Sequence, residues 1–276
     1  MATRSRPATD SRRSRRTLAL VLALAGLSLL TALYLLSTES SIRPAVGASL
    51  LALGFAAFVV VDWLSDRRVL TALEAAWREH RPYVGFAAAT FAVGILLGVL
   101  LYALGVDLLE FVLEAFGEEF IGDEELESGS EPGSGGAPIE LTAGWFVANN
   151  SGPFALAILG AVSLGAFTLL IMVFNGVLIG NLAVGIGGLI GYGEFVALLV
   201  PHGVFELTAL FIAAGIGFRL VHRFGQRLRG SRDSFLTKRY LYRTGLLACF
   251  GWFLLVLAAF VEAYVTIAIV EALFGS

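Results

Sequence analysis

The sequence predicts an all-α protein, a polytopic membrane helix bundle of about seven transmembrane segments with amphipathic surface helices. Three observations carry this. The 276 residues are 57% hydrophobic and only 15% charged, well under the roughly one-quarter charged that is usual in soluble domains. Apolar runs long enough to cross a hydrocarbon layer recur along the whole chain. The charges are segregated, arginines in some connecting stretches and acids in another, which orients spans rather than choosing partners. Cys249 is the one cysteine, so neither an intrachain disulfide nor a thiolate metal cluster can form.

In chain order, residues 1–17 form a basic tail with Arg4, Arg6, Arg12, Arg13, Arg15 and Arg16 against Asp10, expected to stay in the cytoplasm. The apolar run 18–36 is longer than a signal-peptide core and lacks a small-x-small cleavage site, so an uncleaved first span is expected. A turn around 37–44 leads into a second span over 45–61. Next, Val69, Leu70, Leu73, Ala76 and Trp77 recur at helical spacing with charges opposite, predicting an inner surface helix over 66–80. His80 at its end reads as solvated. A third span over 83–104, with Gly94 and Gly98 four apart, completes a three-span N-terminal part, 18–105.

Residues 106–144 read as an acidic extracytoplasmic loop. Eleven acids and no basic residue lie in 106–140; Glu110, Glu114 and Glu118 mark one face of a surface helix, and 122–138 reads as a disordered linker. The alternating ligands and glycine turn of an EF-hand are absent. The remaining 145–276 opens with Trp145 and Phe146 at an interface and a cap at Asn149, Asn150 and Ser151 before Pro153. The fourth span is expected over 153–174, ending at Asn175-Gly176. Segment 177–190 is short for a crossing, giving six spans if it is re-entrant. Charge favours seven. Arg219 through Arg243 mark a cytoplasmic stretch, which an odd number of crossings from Asn149 must reach. Spans over 194–220 and 245–270 follow, leaving the C-terminus extracytoplasmic.

The polar side chains inside these apolar runs form the candidate site. Asn150, Asn175, Asn181, His202 and Glu206 are expected to gather, with Glu262 either joining them or snorkelling outward. An ionisable group at membrane depth is costly and needs a partner. His202 and Glu206 stand at i and i+4 on one helix face. Pro201 is expected to break or kink that helix. Gly176, Gly180, Gly187, Gly191 and Gly203 are candidates for close helix packing. The cluster reads either as a substrate, ion or proton site or as a hydrogen-bonded lock on helix geometry. No metal is expected, because His202 and Glu206 supply two ligands where a catalytic zinc takes three from the protein. No enzyme is expected either: a Ser–His pair, an intramembrane Asp pair, HExxH and a phosphate-binding loop are all missing. No cofactor is implied.

The order Asn149-Asn150, then Phe174-Asn175-Gly176 with Gly180, then Pro201-His202-Gly203 with Glu206 and the small-residue run 213–217, resembles the stage II sporulation protein M family over about 145–220. That resemblance implies a membrane scaffold. The family's namesake works with cell-wall-cutting partners during forespore engulfment, with no catalytic activity assigned to it. Other members occur in organisms that make neither spores nor peptidoglycan, and the acidic loop and arginine bias look more like those. The expectation is therefore a non-enzymatic scaffold or assembly protein of the cytoplasmic membrane. Its partners would be the lipid bilayer, other membrane or envelope proteins and a second copy of the chain, with no nucleic acid. The alternative is a small-solute, ion or proton-coupled transporter that uses the Asn/His/Glu cluster.

Overall fold

The computed structural model describes residues 8–66, 68–109, 141–231 and 233–275. The helices are α1 (Ala8–Thr38), α2 (Ile42–Leu64), α3 (Arg68–Ala103), α4 (Ala143–Leu159), α5 (Ala166–Ile190), α6 (Tyr192–Leu228), α7 (Lys238–Phe260) and α8 (Thr266–Phe274). A 3-10 turn, Gly160–Ser163, extends α4, and a π turn, Val261–Val265, joins α7 to α8. Counting α7 and α8 as one, seven helices among the described residues are long and apolar enough to span a membrane. This is a multi-pass membrane protein. The spans alternate between a basic end, carrying Arg219 to Arg243, and the opposite end.

Several starts are set by side-chain caps. Ser41 accepts from the Arg43 amide, Thr142 from Trp145 and Thr237 from Tyr240, each satisfying a donor that a first turn leaves open. The α1–α2 hairpin meets the rest through aromatic rings: Phe55 and Phe58 of α2 lie 5.5–6.3 Å, centroid to centroid, from Phe250 and Phe253 of α7. Such offset contacts add to simple burial.

Three sequence expectations need correction. The fourth span does not run to Asn175. The chain turns at Leu164 (φ 55°) and Gly165 (φ 89°), with the Gly165 amide bonded to the Gly160 carbonyl at 3.0 Å. Residues 166–190 then make a full 25-residue helix, so the short 177–190 piece is the second half of an ordinary crossing. Asn175 and Gly176 lie mid-helix because the Asn175 amide donates back to the Ile171 carbonyl at 2.8 Å.

Pro201, expected to break or kink its helix, does not break it: it sits inside a continuous 37-residue α6. Transmembrane helices accommodate proline where neighbours satisfy the freed carbonyl. The break lies at Gly191 instead, whose φ of 101° lets one residue join α5 to α6.

No separate surface helix forms over 66–80. Residues from Arg68 run straight through Pro82 into the third span. Val69, Leu70, Leu73 and Ala76 join the protein core rather than a lipid surface. His80 is fully buried, its Nδ1 at 2.7 Å from the Ala76 carbonyl and its ring stacked 5.9 Å from Tyr240. The expected surface helix and linker of the acidic loop fall mainly on residues 110–140, and the tail arginines Arg4 and Arg6 on residues 1–7, outside those described.

Candidate functional site

A seam of glycines joins α3 and α5, beside the helices that carry the polar site. Helices α3 and α5 run parallel, Gly94 facing Gly176 and Gly98 facing the backbone of Val177 and Asn181. A methyl group placed on Gly176 would sit 2.9 Å from the Gly94 Cα, and one on Gly180 would sit 2.8 Å from the Ile95 Cα. Backbones therefore touch along a glycine seam. The partner of Gly176 and Gly180 is α3. Gly187 instead faces the Tyr192 ring, Gly191 makes the turn, and Gly203 meets only Leu199 of its own helix. Of those three, only Gly187 meets a neighbouring helix, at the first residue of α6.

Of the six expected polar residues, the fold gathers His202, Glu206 and Glu262. One ligand atom from each lies within 4.8 Å of the others. His202 and Glu206 project from α6, while Glu262 comes from the π turn of the last span. A π turn widens the helix locally and is frequent at functional sites. His202 Nε2 is 3.8 Å from Glu262 Oε1, the two side chains being 12% and 23% exposed. At the 1.5 Å rise of a helix, His202 lies about 15 Å in from the start of α6 at Tyr192.

Hydrogen-bond donors fix the imidazole. The Thr266 hydroxyl donates to the Val261 carbonyl at 3.1 Å, and His202 Nδ1 stands 3.4 Å from the same hydroxyl oxygen. With its proton committed, that oxygen accepts from Nδ1–H, so a neutral His202 turns the lone pair of Nε2 toward Glu262. Lone pair and carboxylate repel unless something positive lies between them. Glu262 Oε2 is buried and has no hydrogen-bond partner. The arrangement can therefore take up a proton or hold a cation. Beside the two candidate ligands counted in the sequence, His202 and Glu206, the fold brings Glu262, and the three make a mixed nitrogen–oxygen set that could hold an ion. Thr266 was missed, although its place four residues after Glu262 puts it one turn away on the same side.

The asparagines lie elsewhere. Asn150 is half-buried on α4. Asn175 bonds within its own helix. Asn181 is fully buried and clips the chain after α3: its amide donates to the Gly98 and Val106 carbonyls at 3.2 and 2.8 Å, and its oxygen accepts from the Leu108 amide at 2.8 Å.

The profile of a family described as Stage II sporulation protein M matches residues 87–267. That is wider than the 145–220 motif, taking in the glycine seam of α3 as well as Glu262 and Thr266. An uncharacterized protein of Methanocaldococcus jannaschii is 31% identical over 122 residues, covering 43% of this chain and 67% of the relative. No solved structure matches.

Proposed function

Because this chain belongs to the stage II sporulation protein M family, we propose that it is a non-enzymatic scaffold or assembly protein of the cytoplasmic membrane, with its N-terminus and arginine-rich segments cytoplasmic and its C-terminus outside. One observation supports this most. Among the described residues, most polar side chains within the spans bond locally instead of forming a relay. Asn175 and Asn181 bond to backbone, Ser28, Thr31, Thr90 and Thr208 bond to carbonyls one turn back, and His202, Glu206 and Glu262 stand apart from all of them. A proton or ion path needs polar steps toward both faces, and no ionisable residue of α6 lies between Glu206 and Arg219. The charge pattern of the sequence supports this orientation: read with seven crossings, it would leave eighteen of the nineteen basic residues on the cytoplasmic side, Arg43 being the exception.

The unpartnered Glu262 Oε2 favours a second reading, a cation- or proton-coupled transporter working through the same three residues. Substitution His202→Ala separates the two. A scaffold variant loses thermal stability or cross-linking to its membrane neighbours, and proteoliposomes of wild type and variant show equal proton and divalent-cation leak. Flux carried by the wild type and abolished in a well-folded variant would overturn the scaffold.

A further inference from the structure

A second polar feature lies at the basic end, remote from His202. Between α3, α6 and α7 a cavity of about 320 Å³ is lined by Arg219, Arg223, Arg239 and Arg243, with Tyr240 and Glu79. The single carboxylate is engaged, Glu79 Oε1 lying 2.6 Å from Arg243 Nη1. Among the described lining residues, Arg219 and Arg239 face no second carboxylate.

These groups are held in place. Arg223 is 3% exposed, donates through Nε and Nη2 to the Phe235 carbonyl at 3.0 and 2.7 Å, and places its guanidinium 3.7 Å from the Tyr240 ring centroid. Arg219 Nη1 donates to the Tyr83 hydroxyl at 3.0 Å, which also contacts His222. Helix α7 begins beside the cavity, with Thr237 as its cap, and adds the positive end of a helix.

Two buried donors find no acceptor among the described residues: Arg219 Nε and the hydroxyl of Tyr240, a residue only 4% exposed. Both lack the same thing, an oxygen with lone pairs to offer. Guanidinium forks match phosphate oxygens, and basic pockets between spans at the cytoplasmic face suit anionic headgroups.

We propose that this cavity binds a phosphate group, delivered either by an anionic phospholipid headgroup or by a soluble phosphate. The site is independent of what the His202 cluster does and of the scaffold reading. Its volume exceeds that of inorganic phosphate and leaves room for a substituent.

The test uses full-length, tag-free, delipidated protein. One arm titrates inorganic phosphate by calorimetry. The other measures lipid retention by native mass spectrometry from nanodiscs of phosphatidylcholine with and without phosphatidylglycerol. Arg219→Gln/Arg239→Gln is expected to weaken binding at least tenfold and Tyr240→Phe several-fold. The control Arg16→Gln/Arg229→Gln, with the same change in net charge at exposed positions, leaves it unchanged. Retention of phosphatidylglycerol without phosphate binding identifies the lipid as the source, and phosphate binding without lipid retention identifies the soluble one. No binding by folded wild type in either arm overturns the site, and so do equal losses in the two double variants. If Arg219→Gln/Arg239→Gln fails to fold, Tyr240→Phe decides, since it removes a single oxygen; undiminished affinity then refutes the proposal.

Discussion

Two glycines of one helix should respond in opposite directions to the same change. Gly180 and Gly188 both lie on α5. A Cβ at Gly180 would meet the Ile95 Cα and carbonyl carbon at 2.8 Å, whereas at Gly188 nothing lies within 4 Å. Carbon contacts settle at about 3.5–4.0 Å, so alanine at 180 forces α3 and α5 apart by about 0.7–1.2 Å. A gap of that size forfeits roughly a quarter to a half of each dispersion contact along the seam, and overpacking of this kind costs about 1–3 kcal/mol. Both substitutions gain helix propensity worth up to about 1 kcal/mol. Gly188→Ala should therefore be neutral or mildly stabilising, and Gly180→Ala destabilising by about 1–2 kcal/mol. The assay is reversible unfolding in mixed micelles, followed by circular dichroism. If Gly180→Ala proves as stable as Gly188→Ala, backbone contact at the seam is wrong.

Two further predictions concern residues whose surroundings the fold redefines. Asn181→Leu deletes three hydrogen bonds and leaves the Leu108 amide without its partner; at about 1–3 kcal/mol per stranded buried group, it should destabilise clearly. Amide exchange of residues 104–109 should accelerate in the variant, and unchanged protection there would contradict the clip. His80→Ala removes a fully buried ring stacked on Tyr240 and bonded to the Ala76 carbonyl, at an expected cost of about 2–4 kcal/mol in line with buried large-to-small changes. The same unfolding assay reads it, and a loss under about 0.5 kcal/mol would restore the solvated histidine that the sequence suggested.

The seven-span architecture was legible because hydropathy and charge segregation are properties of each span alone. Where one helix ends and the next begins was not, since that depends on neighbours. Asn175-Gly176 looks like a stop, yet Asn175 bonds back into its helix and Gly176 is needed by Gly94. The true turn falls at Leu164, a leucine in the left-handed region, which no propensity would select. His80 misled for the same reason: its burial comes from α7, more than 150 residues later, through Tyr240 and Thr244. Within the site, the i, i+4 pair His202 and Glu206 could be read from spacing. Glu262 could be named but not placed, because the π turn that presents it leaves no mark in the local sequence.

Where the polar groups lie along the bundle has a mechanical consequence. The α3–α5 seam offers no slack, since backbone already meets backbone from Gly94 to Asn181. The contact of α6 with the last span is of another kind: at Glu262 the helix is wound as a π turn, and the groups facing it are one imidazole and one further carboxylate. Adding a proton or a cation there changes a repulsive contact into an attractive one, and a single-turn bulge can relax without unwinding the helix around it. Any movement coupled to the cluster is therefore expected between α6 and the α7–α8 span, with α3 and α5 as the fixed frame. Distance measurements between spin labels near Tyr192 and Phe274 should change on Glu262→Gln, and those between labels at the ends of α3 and α5 should not. The opposite pattern would place the pliable contact at the glycine seam and refute this division of the bundle.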